Sequence, residues 1–285
     1  MGSGVYCSTA RSYRADLLGY ATKSAHEIFT SRAIQNAMNP NGVLLREARD
    51  SADHANSLPI IIALDVTGSM GTVPHHLVKS GLPTMMQKII DAGIPDPQVL
   101  FLAVGDHECD QSPLQVGQFE SSDALLDKWL TDVYLEGGGG SNAGESYLLP
   151  WFFADKYVET DNLDKRKQKG FLFTIGDEPT LKDLPKSAQK KIMGDGQYQD
   201  ETAASLLEKA QKKFNVYHIH IRETHAGSKQ STIDGWQQLI GENLIVAQSK
   251  DQVPGIIADI VSKNNGAKAQ STASTNTGEK VEILL

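Results

Sequence analysis

Leu58-Pro59-Ile60-Ile61-Ile62-Ala63-Leu64 runs without a polar residue into Asp65-Val66-Thr67-Gly68-Ser69-Met70-Gly71, and few folds can hold such a segment. A run this short, rich in β-branched residues and lacking a polar face must be covered on both sides. It predicts a central strand of a parallel sheet with helices against each face. Where the apolar run stops, Asp65, Thr67 and Ser69 follow at alternate positions. In an extended or tightly turned backbone that spacing aims three oxygen-bearing side chains at one point above the strand's carboxyl end. Open α/β sheets bind ligands at that edge. One carboxylate and two hydroxyls converging there suit a hard, oxygen-seeking cation such as magnesium.

Further buried strands are predicted over Pro97–Val104, Gly170–Gly176 and 215–221, with a short last strand over 243–246. Helical spacing separates them, over 74–92, 122–134, about 143–157, 200–214, 232–240 and 251–263. Pro83 has to kink or split the first of these, and Ser122 is placed to cap the second. Residues 114–120 alternate weakly and read as a short edge strand. The alternation of strands and helices predicts an α/β fold, a doubly wound, mostly parallel sheet flanked by helices with one short antiparallel edge strand.

Outside that pattern, residues 15–38 have helical spacing and end at the turn Asn39-Pro40-Asn41-Gly42. Residues 46–51 are charged and read as irregular, either a surface lead-in to the sheet or an arm over the metal edge. Residues 264–280 are Ser, Thr, Asn, Gly, Ala and Lys with little else, a composition that cannot bury a core, and the apolar-biased 281–285 follow. The expected division is an N-terminal helical extension over 1–57, the α/β domain over 58–263 and a flexible tail over 264–285.

The balance of 27 basic and 35 acidic residues, a net charge of −8, does not favour a nucleic-acid partner. The basic cluster Lys165-Arg166-Lys167 with Lys169 reads as a solvated loop. Cys7 and Cys109 make no disulfide framework and fit a reducing compartment. There is no basic-then-apolar leader and no stretch approaching 18 apolar residues, so the expected location is cytoplasmic, with no membrane partner.

Three segments point at one sheet edge: Asp65/Thr67/Ser69, the Gly-rich stretch Gly137-Gly138-Gly139-Gly140 leading into Ser141-Asn142, and Gly176-Asp177. Together they resemble the von Willebrand factor A (vWA) domain with its metal-ion-dependent adhesion site (MIDAS), of an intracellular bacterial or phage type. The family pattern is Asp-x-Ser-x-Ser, then a Thr after a Gly-rich loop, then an Asp after a later strand. Here Thr67 replaces the first Ser and keeps the hydroxyl, and Ser141 stands where the family has Thr. The resemblance covers about residues 58–263. It implies that Asp65, Thr67, Ser69, Ser141 and Asp177 hold Mg2+ or Mn2+. The neutral hydroxyls leave the ion residual positive charge and an exchangeable position for an acidic side chain of a partner protein. Such a site favours binding over turnover, and the expectation is a protein-interaction module rather than an enzyme. Similar intracellular domains work beside AAA+ ATPases of the MoxR type or in kinase-linked bacterial operons, which the resemblance implies as partner classes.

Other readings of the same residues stay open at this level. Thr67 or Ser69 would serve as a helix cap, Asp177 as a turn cap and Ser141 as a turn residue; Glu145 and Glu178 would be first-turn partners of a helix dipole. Asp65-Val66-Thr67-Gly68-Ser69 is also similar to the Asp-Lys-Thr-Gly-Thr of haloacid-dehalogenase-type enzymes, with Asp65 as a phosphoryl-accepting nucleophile. Against that, Val66 takes the lysine position and the Gly-rich loop has no role. Acyl transfer by Ser69 lacks a nucleophile elbow. A structural module without metal function is the third alternative. Asp106-His107-Glu108-Cys109-Asp110 matches no zinc spacing but would supply donors for a second metal. His218 and His220 share one strand face and read as structural. In the long insertion 179–199, residues 184–193 read as a short amphipathic helix carrying lysines beside the metal edge, a segment suited to partner selection.

Overall fold

The computed structural model describes residues 4–94, 96–137, 142 and 144–273, with Ser69 described by its backbone and side chains of the last helix described to Asn264. Leu58–Asp65 forms β2, every residue of which is buried. Its side chains alternate between two cores: Ile60, Ile62 and Leu64 face one, Ile61 and Ala63 the other. The first core is closed by Met85, Met86, Ile89, Ile257 and Val261, the second by Trp151, Phe152, Leu206 and Leu207. An apolar run with no polar face is therefore accounted for by helices on both sides of the sheet.

In chain order the elements are α1 (Ser8–Leu18), α2 (Ala25–Ile28), β1 (Arg46–Ala48), β2, α3 (Thr72–His76), α4 (Leu82–Asp91), β3 (Pro97–Val104), β4 (Leu114–Val116) and α5 (Asp123–Thr131). They continue with α6 (Leu148–Tyr157), β5 (Val158–Thr160), α7 (Asp161–Asp164), β6 (Gly170–Gly176), β7 (Asp183–Leu184), α8 (Lys186–Met193) and β8 (Glu201–Thr202). The last are α9 (Ala203–Lys213), β9 (Phe214–Ile221), α10 (Gln230–Ile240), β10 (Leu244–Ala247) and α11 (Val253–Ala273). The main sheet has six strands in the order β10-β9-β6-β2-β3-β4, parallel except for the antiparallel edge strand β4. Ser122 caps α5, accepting from the Leu125 amide.

Several expected elements differ. The helical spacing over 15–38 belongs to separate pieces: α1 stops at Gly19 in the left-handed region (φ 67), and α2 starts afresh at the Ser24/Glu27 capping box. A single 3-10 turn, Asn36–Met38, precedes the Asn39-Pro40 turn. Tyr20, Ile28, Phe29 and Met38 from these pieces join the same core as β2, so tertiary packing rather than one long helix sets their spacing. Residues 46–51 are not wholly irregular: β1 pairs parallel with β5. Asp50 accepts from Ser57, and Arg166 donates to both Asp50 and the Ser57 carbonyl, which ties this segment to the start of β2, opposite Asp65. Pro83 lies in the first turn of α4, directly after a π turn over Leu77–Gly81, a position where a proline's missing N–H is tolerated. Helix α6 starts at Leu148 rather than near 143, and α9 starts at Ala203 because Glu201–Thr202 pairs with Asp183–Leu184. The insertion does contain the expected amphipathic helix, α8, with Gln189, Ile192 and Met193 buried and Lys186, Lys190 and Lys191 exposed. Helix α11 runs past residue 263 to Ala273; of the expected tail, 274–285 lie outside the described residues.

Candidate metal centre

β2 and β6 lie side by side, yet the chain leaves them in opposite directions, β2 towards β3 and β6 towards β9. Loops that diverge in this way leave a crevice beyond the carboxyl ends of the two strands. Asp65 is the last residue of β2, and Asp177 follows β6 directly. Both are buried. Asp65 lies on the face of β2 that carries Ile61 and Ala63, the side on which α6 packs.

Each oxygen of Asp65 is held. The Thr67 amide donates to Oδ1 at 2.9 Å and the Thr67 hydroxyl donates to the same atom at 2.7 Å. The Tyr147 hydroxyl donates to Oδ2 at 2.5 Å. A hydroxyl that has given its proton to a carboxylate turns its lone pairs outward, the state in which Thr67 would bind a cation. Gly68 (φ 24) lets the chain turn from β2 into the 3-10 turn Gly68–Gly71, which contains the backbone of Ser69.

Charge is crowded at this edge. Burial pushes the Asp65 carboxyl up to about 7, opposed by the hydrogen bonds from Tyr147 and Thr67 and reinforced by the charge of Asp177. Glu145 is pushed up to about 9 by burial and then by Asp65 and Asp110. Burial and the same carboxylates hold the Tyr147 hydroxyl well above its ordinary value, so it remains a donor. Among the described residues, Asp106 Oδ2 and Glu145 Oε2 are buried with no hydrogen-bond partner. Buried carboxylates with orphaned oxygens are what a divalent cation compensates, so the residues present fit Mg2+ or Mn2+. Among the described residues no group of three or more His, Cys, Asp and Glu is placed to hold a metal.

Of the five expected ligands, Asp65, Thr67 and Asp177 come together here; Ser69 enters through its backbone turn, and Ser141 lies outside the described residues. The Asp106–Asp110 loop does not assemble a second centre. Asp106 Oδ1 accepts from the Glu108 amide at 2.8 Å, Asp110 Oδ2 accepts from the Asp106 amide at 2.7 Å, and His107 Nδ1 shares a hydrogen bond with Ser146 at 2.7 Å. These bonds fix the loop internally and to Ser146, and leave Asp106 Oδ2 without a hydrogen-bond partner among the described residues. His218 and His220 are buried in β9: His218 stacks on Trp236 at 3.5 Å and meets Thr174 at 2.9 Å, while His220 pairs with the Gly227 carbonyl at 2.8 Å.

Sequence reasoning missed Tyr147 and set Glu145 aside. The signal for Tyr147 is Gly176: a Cβ there would overlap the Tyr147 ring and hydroxyl, so the glycine before Asp177 exists for close approach. Tyr147 also packs edge-on against His218 and Trp236, at 5.2 and 5.5 Å. Trp236 Nε1 donates to the Glu178 carbonyl at 3.0 Å, bracing the turn that carries Asp177. Beside Thr67 a groove of about 670 Å³ opens between residues 25–32, the turn after β2 and residues 134–137, lined in part by Phe29, Val66 and Leu135.

The crowding has a pH signature. Carboxyls in an unfolded chain lose their protons near 4, whereas Asp65 and Glu145 hold theirs to about 7 and about 9. Between those values the folded chain binds more protons than the unfolded one, so stability without metal falls as pH rises. Magnesium binds the deprotonated forms and should flatten the slope. Melting temperatures in EDTA from about pH 7 to about pH 9, above the range in which the buried histidines, held below their ordinary value, titrate in the unfolded chain, are expected to decline, and to decline less with magnesium or in an Asp65→Asn/Glu145→Gln double variant. An equal slope in all three would mean that other groups govern it.

No known protein family matches the chain, and no curated protein does. Solved structures are similar to it. The pilus adhesin SpaC from Lactobacillus rhamnosus GG, in its open conformation, aligns over 75% of this chain and 31% of the adhesin, at 13% identity and a TM-score of 0.50. Another crystal structure of that adhesin gives 75% and 32% coverage, 14% identity and a TM-score of 0.49. An aerotolerance-related membrane protein from Bacteroides fragilis aligns over 73% of this chain and 100% of its own, at 11% identity and a TM-score of 0.39. The chain thus spans about a third of the length of the adhesin. At such identities the likeness is one of fold, and this chain shares its α/β architecture with a part of the open SpaC adhesin.

Proposed function

We propose that this chain is a vWA-type interaction domain that binds a protein partner through Mg2+ or Mn2+ held by Asp65, Thr67, Ser69, Ser141 and Asp177. One observation carries the reading: Asp65 is buried at the switch point of the sheet with its Oδ1 orienting the Thr67 hydroxyl. Hydroxyl ligands keep the ion electrophilic, and an acidic side chain of the partner completes its coordination. The groove beside Thr67 gives the partner's flanking residues a concave surface. A nucleophilic Asp65 would need an oxygen directed at a substrate; both of its oxygens accept hydrogen bonds instead, which weighs for binding over phosphoryl transfer.

MoxR-type AAA+ ATPases and products of kinase-linked operons are the partner classes to try first, in the cytoplasm of a bacterium. No helix among the described residues is long and apolar enough to cross a membrane. Affinity capture on the immobilised chain, in magnesium and in EDTA, tests the proposal. A partner retained with magnesium and released by EDTA is the expected result, with no hydrolysis of generic phosphoesters. Retention indifferent to EDTA, or phosphoesterase activity lost in Asp65→Asn, would replace this reading with a metal-free scaffold or with an enzyme.

A further inference from the structure

The groove beside Thr67 has one wall from outside the stretch that resembles a vWA domain. Residues 25–32 supply that wall, the turn after β2 the second, and residues 134–137 the third. Each is fastened by the chain itself. His75 Nε2 donates to the Lys23 carbonyl at 3.0 Å, and the Ser31 hydroxyl donates to the Asp132 carbonyl at 3.3 Å. Ile28 and Phe29 are buried in the core that β2 shares, so the N-terminal wall cannot swing away without exposing them. Gln115, fully buried on β4, holds both backbone groups of Tyr134: Oε1 accepts from its amide at 2.9 Å, and Nε2 donates to its carbonyl at 2.7 Å. A concavity of about 670 Å³ with fixed walls loses little freedom when it is filled.

Phe29, Val66 and Leu135 give the lining its apolar part, and Arg32 and Glu136 bring opposite charges to it. The two charges are not equivalent. Glu136 accepts from the Gln111 amide at 3.3 Å, and burial holds its carboxyl above its ordinary value. Arg32 is exposed and makes no ion pair among the described residues. In a chain of net charge −8, an unpaired guanidinium beside an apolar surface is complementary to an acidic side chain next to an apolar one. We propose that this groove seats an extended segment of the partner protein, with a large apolar side chain on Phe29, Val66 and Leu135 and an acidic one against Arg32. The proposal rests on the interaction reading above for its partner, but its geometry needs no ion. Residues 25–32 thereby become the specificity wall, one that the resemblance over residues 58–263 does not cover.

The test titrates the full chain with three synthetic peptides while the protein's amides are followed by NMR. One Gly/Ser-based peptide carries a leucine and two glutamates; the second has serine for the leucine, and the third has glutamines for the glutamates. The first is expected to shift the amides of residues 25–32, Val66, Gly68, Thr72 and 134–137, and to bind about 10-fold more tightly than the second. Arg32→Glu, at an exposed position, should weaken the first peptide about 5-fold and leave the third unchanged. Equal affinity for all three peptides, no binding of the first, shifts confined to another face, or indifference to Arg32→Glu would each overturn the proposal. So would shifts at the same residues that grow with protein concentration alone, since a second copy would then be the occupant. Repeating the titration in EDTA separates the two claims. Binding that depends on Arg32 but not on magnesium would overturn the metal reading and leave the groove assigned, whereas binding that depends on magnesium but not on Arg32 would do the reverse.

Discussion

Gly176→Ala is expected to destabilise the protein by about 3 kcal/mol or more and to lower its melting temperature by roughly 6–12 °C. The added methyl would occupy the space of the Tyr147 hydroxyl and the adjoining ring atoms. Tyr147 cannot yield, because it is fully buried with His218 and Trp236 against its ring. Either the end of β6 shifts or the tyrosine leaves Asp65, and a buried carboxylate oxygen that has lost its donor adds its own cost. The effect therefore reaches the site as well as the fold: magnesium affinity should fall along with stability. Thermal denaturation followed by near-ultraviolet circular dichroism reads both the melting temperature and the aromatic packing. An unchanged melting temperature would mean that the Gly176–Tyr147 contact is looser than described.

Asp65→Asn is expected to remove the stabilisation by magnesium while leaving the fold intact. At a magnesium concentration 100 times its dissociation constant, the wild-type chain should gain about 2.7 kcal/mol, or roughly 5–11 °C; the variant should gain nothing. Asparagine matches the shape of aspartate and its oxygen still accepts from Thr67, while its amide nitrogen replaces the acceptor of the Tyr147 hydroxyl, so the metal-free variant should lose less than Asp65→Ala and remain folded. Alanine is a different experiment. Asp65 is buried with three hydrogen bonds, not at an open loop position, and Asp65→Ala leaves Thr67 and Tyr147 without an acceptor at a cost of about 1–3 kcal/mol. A magnesium shift that survives in Asp65→Asn would remove Asp65 from the site.

The sheet was legible in the sequence because β2, β3 and β6 are apolar runs with no polar face, and only burial on both sides tolerates such runs. Asp65, Thr67 and Asp177 were legible for a related reason: a polar residue at the end of a buried strand stands out against it, and the carboxyl edge is where it must point. Glu145 and Tyr147 were not, because their conformation is set by Pro179 and Leu181 far along the chain. Read locally, 144–147 continue the helical pattern of α6; the bridge of Glu145 to Thr180 keeps Glu145 out of that helix. The N-terminal segment failed in the same way. Its helical spacing is divided by Gly19 and by the Ser24/Glu27 box, and its apolar residues are placed by contact with the sheet core rather than by one helix axis.

Anomalous diffraction from crystals grown with manganese tests the central claim most directly. A peak is expected beyond the carboxyl ends of β2 and β6, within coordination distance of Thr67 and flanked by Asp65 and Asp177, and the peak should be absent from the Asp65→Asn crystal. No peak at that edge, or a peak seated instead on the Asp106–Asp110 loop, would contradict the account.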